Sequence, residues 1–242
     1  HRGNGNLVDD GTRVFAYDAL NRLKEVMKKD GGARVASYTY DALGRRVRKE
    51  VTNGGIPNEP ALDGTTDYLY SGVQCVEERN PFGGAQQDVD TSVRQYVWGL
   101  YVDELVQQKE KGDPDTDYYL LSDLLYRSVA LTDTTPAIQE AYDTDAYGNT
   151  LVFSAAGGGG WFSNTDQTTD DPTCTFVFTG RSYDVETGIY FYRARYYHTE
   201  LGRFVSRDRV DYADGMNLYQ AFGSTPTTFT DPAGQASTPH YS

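Results

Sequence analysis

The chain has 242 residues, enough to bury a core without covalent staples, and its 22 Lys and Arg stand against 35 Asp and Glu for a net charge of −13. So acidic a surface repels phosphate, which argues against nucleic acid and against insertion into an anionic membrane. No apolar run approaches the roughly 20 residues that span a bilayer, and two cysteines, Cys75 and Cys174, are too few for a cysteine-rich zinc site and are expected as buried thiols. Twenty tyrosines, 25 glycines and nine prolines instead describe many strands separated by many turns.

The N-terminal stretch "GNGNLVDDGTRVFAYD", residues 3–18, reads as a turn, an Asp10-Gly11 hairpin signal and a strand running into Tyr17-Asp18. "YDALNRLKEV" at 17–26 then recurs as "YDALGRRVRKEV" at 40–51, so Tyr17 to Tyr40 sets a period of 23 residues. In the second copy Tyr38 and Tyr40 alternate with Ser37 and Thr39, and Val47 and Val51 with Arg46, Arg48 and Glu50, the period-2 pattern of half-buried antiparallel strands. Asp41 can accept hydrogen bonds from the amides of the turn, and Gly44 can adopt the positive φ that ends it. Looser copies follow as "YDTDAYGNT" at 142–150 and "YDVETGIYFY" at 183–192. His1 falls inside a repeat, so further repeats are expected upstream.

Between these units strands are predicted over 66–72, 92–99, 101–109, 117–123, 126–133 and 174–180, with turns at Asn53-Gly54-Gly55, Pro81-Phe82-Gly83-Gly84 and Gly112-Asp113-Pro114. Residues 155–173, rich in Gly, Ser, Thr and Asp, read as a flexible loop. Asp113, Asp115 and Asp117 alternate as calcium-loop ligands do. Tyr118, however, stands where that loop needs glycine, and Leu124 where it needs a bidentate glutamate, which favours an acidic hairpin tip. His1, His198 and His240 are scattered, and neither a nucleophile elbow nor a phosphate loop is present, so neither a cofactor nor a metal is expected.

"RSYDVETGIYFYRARYYHTELGRF", residues 181–204, threads arginines through aromatic residues. Pairing and cation–π contact within a sheet account for this better than a nucleic-acid platform does. Alternation places Tyr190, Tyr192 and Tyr196 on one face and Phe191, Arg193, Arg195 and Tyr197 on the other.

Across 179–234 the motifs Phe-Thr-Gly-Arg, Tyr183-Asp184-Val-Glu-Thr-Gly188, Tyr192-Arg193-Ala-Arg195-Tyr196-Tyr197, Leu-Gly-Arg-Phe, Asn-Leu-Tyr and Asp231-Pro-Ala-Gly234 occur in the order found in the RHS repeat-associated core. The sequence therefore resembles the RHS/YD-repeat family, which includes polymorphic toxins, the C component of Tc toxins and, more distantly, teneurins. The resemblance implies an all-β spiralling strip of antiparallel hairpins closing into a hollow shell, with the core as a plug. It divides the chain into a strip (1–154), the loop (155–173), the core (174–234) and a tail (235–242).

The function implied is that of a non-enzymatic wall of a secreted or cell-surface protein, whose partners are the upstream repeats and an enclosed effector. The alternatives are a fibre or adhesive subunit built through sheet edges, and an aspartic self-cleaving module. In cleaving members of the family two aspartates act just after the second Asp-Pro-x-Gly motif, and the matching positions here are Asp208 and Asp231. The first motif departs from the pattern, reading Asp208-Arg209-Val210-Asp211, and Gln235 replaces the usual leucine. A cation at Arg209 favours two ionised carboxylates over a pair sharing one proton, so efficient self-cleavage is not expected.

Overall fold

The computed structural model describes residues 4–52, 63–81, 92–135, 137–154, 167–168, 172–209 and 215–239. The expected turns at 53–55 and 82–84, most of the 155–173 loop, His1, His240 and Asp211 lie outside these residues. Two compact units result: His1–Tyr68 together with Asp184–Ser242, and Leu69–Tyr183. Among the described residues the regular structure is β-strand apart from a single 3-10 turn at Phe222–Ser224, and no helix is long and apolar enough to cross a membrane.

In the first unit β1 (Arg13–Tyr17), β2 (Leu23–Lys28), β3 (Arg34–Tyr40) and β4 (Arg46–Val51) pair antiparallel in chain order, and β4 pairs with β5 (Gly64–Ser71), within which the unit ends. The second unit continues the same hairpin logic through β6 (Gln74–Arg79), β7 (Ser92–Trp98), β8 (Leu105–Glu110), β9 (Thr116–Ser122), β10 (Ser128–Thr132), β11 (Ile138–Thr144), β12 (Thr150–Ser154) and β13 (Gln167–Thr168). It closes with the hairpin of β14 (Phe176–Phe178) and β15 (Arg181–Asp184). Back in the first unit, β16 (Ile189–Tyr192), β17 (Arg195–His198) and β18 (Arg203–Phe204) form a meander, and β19 (Phe229–Thr230) pairs with β20 (Thr238–Pro239). Residues 238–239 of the expected tail thus lie in a strand. The strand predicted over 101–109 starts only at Leu105, because Glu104 turns back to accept the amides of Leu100 and Tyr101.

One local device closes hairpin after hairpin. In the turn after Tyr40, Asp41 Oδ1 accepts the amides of Leu43 and Arg45, both at 2.9 Å, and Arg45 Nε donates to Oδ2 at 2.7 Å. The fourth turn residue, Gly44, sits at φ +83°. Asp18 does the same with Leu20 and Arg22, and here Asn21 takes the left-handed conformation at φ +59°. Burial works against the charge of both aspartates, but these amide and guanidinium donors outweigh it and hold the carboxyls below the usual range. The tyrosines brace the turns to their neighbours: Tyr40 Oη donates to the Leu23 carbonyl at 2.6 Å and Tyr17 Oη to that of Leu7 at 2.8 Å.

Two turns of this kind differ from the sequence reading. In "YDTDAYGNT" the turn carboxylate is Asp145, which caps Tyr147 and Asn149, while Asp143 is exposed on β11. Asp123 builds another such turn with Leu125 and Arg127, with no tyrosine before it.

The core of the first unit gathers Phe15, Leu23, Val26, Val35, Ala36 and Tyr38 from the hairpins against Ile189, Phe191, Tyr196 and Val205. This corrects the expected faces of 181–204. The two-residue turn Arg193-Ala194 pairs Tyr190 with Tyr197 and Phe191 with Tyr196, so parity reverses across it. Tyr196 therefore joins Phe191 in that core, whereas Tyr192 and Tyr197 pack with Phe204 and Phe222 on the opposite face. Both faces of the meander are covered, which makes it an interior element of this unit. The second unit has its own core, in which Tyr96 and Trp98 meet Phe176 edge-on at 5.0 and 5.3 Å. Cys75 and Cys174 are buried there without a disulfide, and burial pushes the Cys174 thiol up to about 12.

Candidate functional site

Asp208 and Asp231, 23 residues apart in sequence, come together through Arg195. Arg195 points from β17 into a buried space, its guanidinium carbon 3.7 Å from the ring centre of Phe204. Its Nη2 lies 2.9 Å from Asp208 Oδ2 and 3.3 Å from Asp231 Oδ2. Nη1 donates to the Leu218 carbonyl at 3.3 Å, and Nε donates to the carbonyl of Gly234. All three side chains are buried. A buried carboxylate pair repels itself, and the guanidinium between them offsets that repulsion.

The Asp231-Pro232-Ala233-Gly234 segment is laid along the tip of the β16–β17 hairpin. Arg193, at φ +53°, donates through Nη1 to the Pro232 carbonyl, and the Ala194 amide reaches the Ala233 carbonyl at 3.3 Å. Gly234 adopts φ +67°, and a Cβ there would overlap the Tyr192 carbonyl oxygen, so the motif needs glycine for both conformation and approach. Asp231 Oδ1 then accepts the amides of Gln235 at 2.9 Å and Ala236 at 3.1 Å. Arg209, expected beside Asp208, instead donates to the Leu20 carbonyl at 3.0 Å. The cation at the pair is Arg195, delivered by the fold and not by the neighbouring residue.

A second charged cluster surrounds the fourth Tyr-Asp unit. Asp184 does not cap a turn with its side chain. Arg46 Nη1 lies 2.5 Å from its Oδ2, and Lys49 Nζ lies 3.2 Å from both Asp184 Oδ1 and Glu186 Oε2. Arg46 arrives there because a register shift between Thr39 and Tyr40 sets Arg46 opposite Tyr40, where simple alternation had placed it on the wet face. Its guanidinium lies over the rings of Phe191, at 4.6 Å, and Tyr68, at 4.8 Å. Burial raises Asp184, but Arg46 and Lys49 outweigh it and hold that carboxyl low. For Glu186 burial wins over Lys49, and its carboxyl is raised. Gly188 closes this turn at φ +66°, its amide donating to the Asp184 carbonyl at 2.8 Å, and Tyr183 is half-buried on β15.

At 113–117 the carboxylates are taken by lysines: Asp115 pairs with Lys111 at 2.8 Å and Asp117 with Lys109 at 2.6 Å, while Asp113 is exposed. Among the described residues no three His, Cys, Asp or Glu side chains are grouped to hold a metal ion. The sequence places Arg195 and Asp184 within recurring motifs and gives neither an ionic role. No local signal joins Arg195 to Asp231: Tyr-Arg-Ala-Arg and Asp-Pro-Ala-Gly are distant in the chain, and the fold lays them side by side.

Hairpins locked by recurrent aspartate turns, with a meander buried on both faces, define an all-β repeat protein. Residues 17–56 match the family model for the RHS repeat, so the chain carries RHS repeat sequence and is similar to RHS-related bacterial toxin proteins. It is 30% identical over 236 residues to the tRNA nuclease WapA of Bacillus subtilis strain 168, covering 96% of this chain and 9% of that protein. It is 30% identical over 250 residues to the toxin protein Tse5 of Pseudomonas aeruginosa, covering 95% of this chain and 18% of that protein. The chain thus spans less than a fifth of these relatives. Among solved structures, the TcdB2-TccC3 crystal structure matches 93% of this chain, and 10% of its own, with a TM-score of 0.65 at 20% identity, which shows the fold.

Proposed function

We propose that this chain is a wall segment and plug of a longer, secreted or cell-surface RHS protein that encloses a toxic effector. The hairpins of 1–154 supply the wall and 174–234 the plug, with upstream repeats and the effector as its partners. The observation that carries this is the meander of β16–β18, buried on both faces, with Arg195 and Arg46 directed into internal ion pairs and not toward solvent. A meander so enclosed suits a wall, and Arg46 and Arg195, spent on internal ion pairs, do not serve as a platform for nucleic acid. Electron microscopy of the longer protein tests it. A closed hollow particle is expected, and open fibres joined through sheet edges would overturn it in favour of an adhesive assembly.

A second reading, latent aspartic self-processing, is favoured by one observation: Asp208 and Asp231 meet on one guanidinium beside the Gly234 carbonyl. Intact mass after incubation from neutral to acidic pH tests this reading. The unmodified chain is expected to stay whole at neutral pH; Arg209→Pro with Asp211→Gly, which restores the Asp-Pro-x-Gly pattern of the cleaving relatives at the first motif and leaves Arg195 in place, is expected to release the residues after the second motif, and Asp231→Asn to abolish that release. If the double variant is as inert as Asp231→Asn at every pH, the pair has no hydrolytic role.

A further inference from the structure

We propose that the inward face of β7 and β8 in the second unit is the site of a monovalent alkali cation, Na+ or K+, held by Tyr96 Oη and Gln108 Oε1 and drawn there by Glu78 and Glu140. Tyr96 and Gln108 stand directly opposite each other in the β7–β8 ladder, so their side chains leave the sheet on the same face. Both are buried, and among the described residues the Tyr96 hydroxyl and the Gln108 side-chain carbonyl meet no hydrogen-bond partner. The Gln108 amide is not free to turn, because its Nε2 donates to the Thr173 carbonyl at 2.8 Å and a flip would set oxygen against oxygen. Two bare oxygens on neighbouring strands call for a hard cation or a hydrogen-bond donor between them.

The surrounding charge selects the cation. Glu78 and Glu140 are both buried. Arg94 meets this cluster but is shared, with Nη1 3.5 Å from Glu78 Oε2 and Nε 3.0 Å from Glu110 Oε1. Glu140 is held by neutral donors: the amide and hydroxyl of Thr173 and the hydroxyl of Tyr142. Burial pushes both the Tyr96 hydroxyl and the Cys174 thiol up, and Glu78 acts on both in the same sense, with Glu140 adding at Cys174, so the two glutamates bear on the same few residues. The other bases of the unit, Arg79, Lys109, Lys111, Arg127 and Arg181, each hold a carboxylate of their own, on Glu77, Asp117, Asp115, Asp123 and Asp103. Buried carboxylates in excess of buried bases are costly, and a cation offsets that cost where a water would not. The two bare oxygens are uncharged, which suits a single positive charge better than a divalent ion that draws on several carboxylates. Such a cation would also steady Thr173, which Gln108 and Glu140 both hold, and with it the chain entering β14.

The test follows thermal unfolding of the full chain in KCl or NaCl, with choline chloride keeping the ionic strength constant. The transition should rise by about 3 °C for each tenfold increase of K+ or Na+ above its dissociation constant. Tyr96→Phe removes one ligand and keeps the ring against Phe176, and it should move this rise to about tenfold higher cation concentration. A dry site makes Tyr96→Phe more stable in every salt, and a site filled by water makes it less stable in every salt. In both of those cases K+, Na+ and choline give one curve for the unmodified chain, and that result overturns the proposal. Crystals of the unmodified chain soaked in RbCl decide independently of any variant. An anomalous rubidium peak between Tyr96 Oη and Gln108 Oε1 is expected, and its absence overturns the proposal even where the thermal rise is seen.

Discussion

Tyr192 lies 5.7 Å, centre to centre, from each of the rings of Tyr197, Phe204 and Phe222, and it is fully buried. Its truncation leaves a cavity with no flexible neighbour to fill it, so Tyr192→Ala should cost about 3–5 kcal/mol, with Tyr196→Ala similar on the other face. Chemical denaturation of both variants checks this, and unchanged midpoints would mean that the rings serve a ligand and not the fold. Gly234 makes a sharper case, because the obstacle to a side chain there is main chain. Gly234→Ala must give up either φ +67° or the contact with the Tyr192 carbonyl, and should cost more than the ~1 kcal/mol of an ordinary strained glycine replacement. A melting temperature within a degree of the parent would show that the Asp-Pro-Ala-Gly segment lifts off the hairpin easily.

At the scale of the hairpin, what could be read from sequence was what is local. Asp41 to Gly44 are the four residues of one turn, and their chemistry follows from adjacent amides. The same turn at 123–127 carries no such signal, because Tyr126, at φ +58°, occupies the position where glycine or asparagine would mark it. Tyr-Asp is thus a marker of the turn and not its cause, as Asp143 shows by standing idle beside Asp145. It follows that Asp18→Ala, which strips two amides of their acceptor and Arg22 of its partner, should cost about 1–2 kcal/mol. Asp143→Ala should stay within about 0.5 kcal/mol. Equal losses in urea titrations of the two would refute the turn assignment. The burial of Arg46 was hidden for a related reason: one register shift converts a solvent position into a core position, and no residue in the sequence announces it. The aspartate pair could be located by motif order, but its cation could not, because Arg195 and Asp231 are brought together only by the fold.

Across the whole chain the acidic groups pull stability in opposite directions as pH falls. The turn aspartates Asp18, Asp41 and Asp145 have carboxyls held below their unfolded values, so their contribution is present above about pH 4 and is lost as pH falls further. Glu186 is raised, since burial outweighs Lys49 and Asp184 adds repulsion, so its contribution is complete below the unfolded value and fades as pH rises through the folded one. Acidification from neutral should therefore stabilise the fold first, through Glu186, and destabilise it only below about pH 4, through the turns. The net charge of −13 also relaxes on acidification and would stabilise the fold without any contribution from Glu186. Glu186→Gln separates the two effects, because it removes the titrating group while Lys49 keeps Asp184 at 3.2 Å. As pH falls from neutral toward the ordinary carboxylate range, the urea midpoint of the unmodified chain should rise more steeply than that of Glu186→Gln, and the two curves should fall together below about pH 4. Parallel curves over the upper range would mean that surface repulsion alone sets the slope, and that the cluster of Arg46, Lys49, Asp184 and Glu186 takes up no proton there.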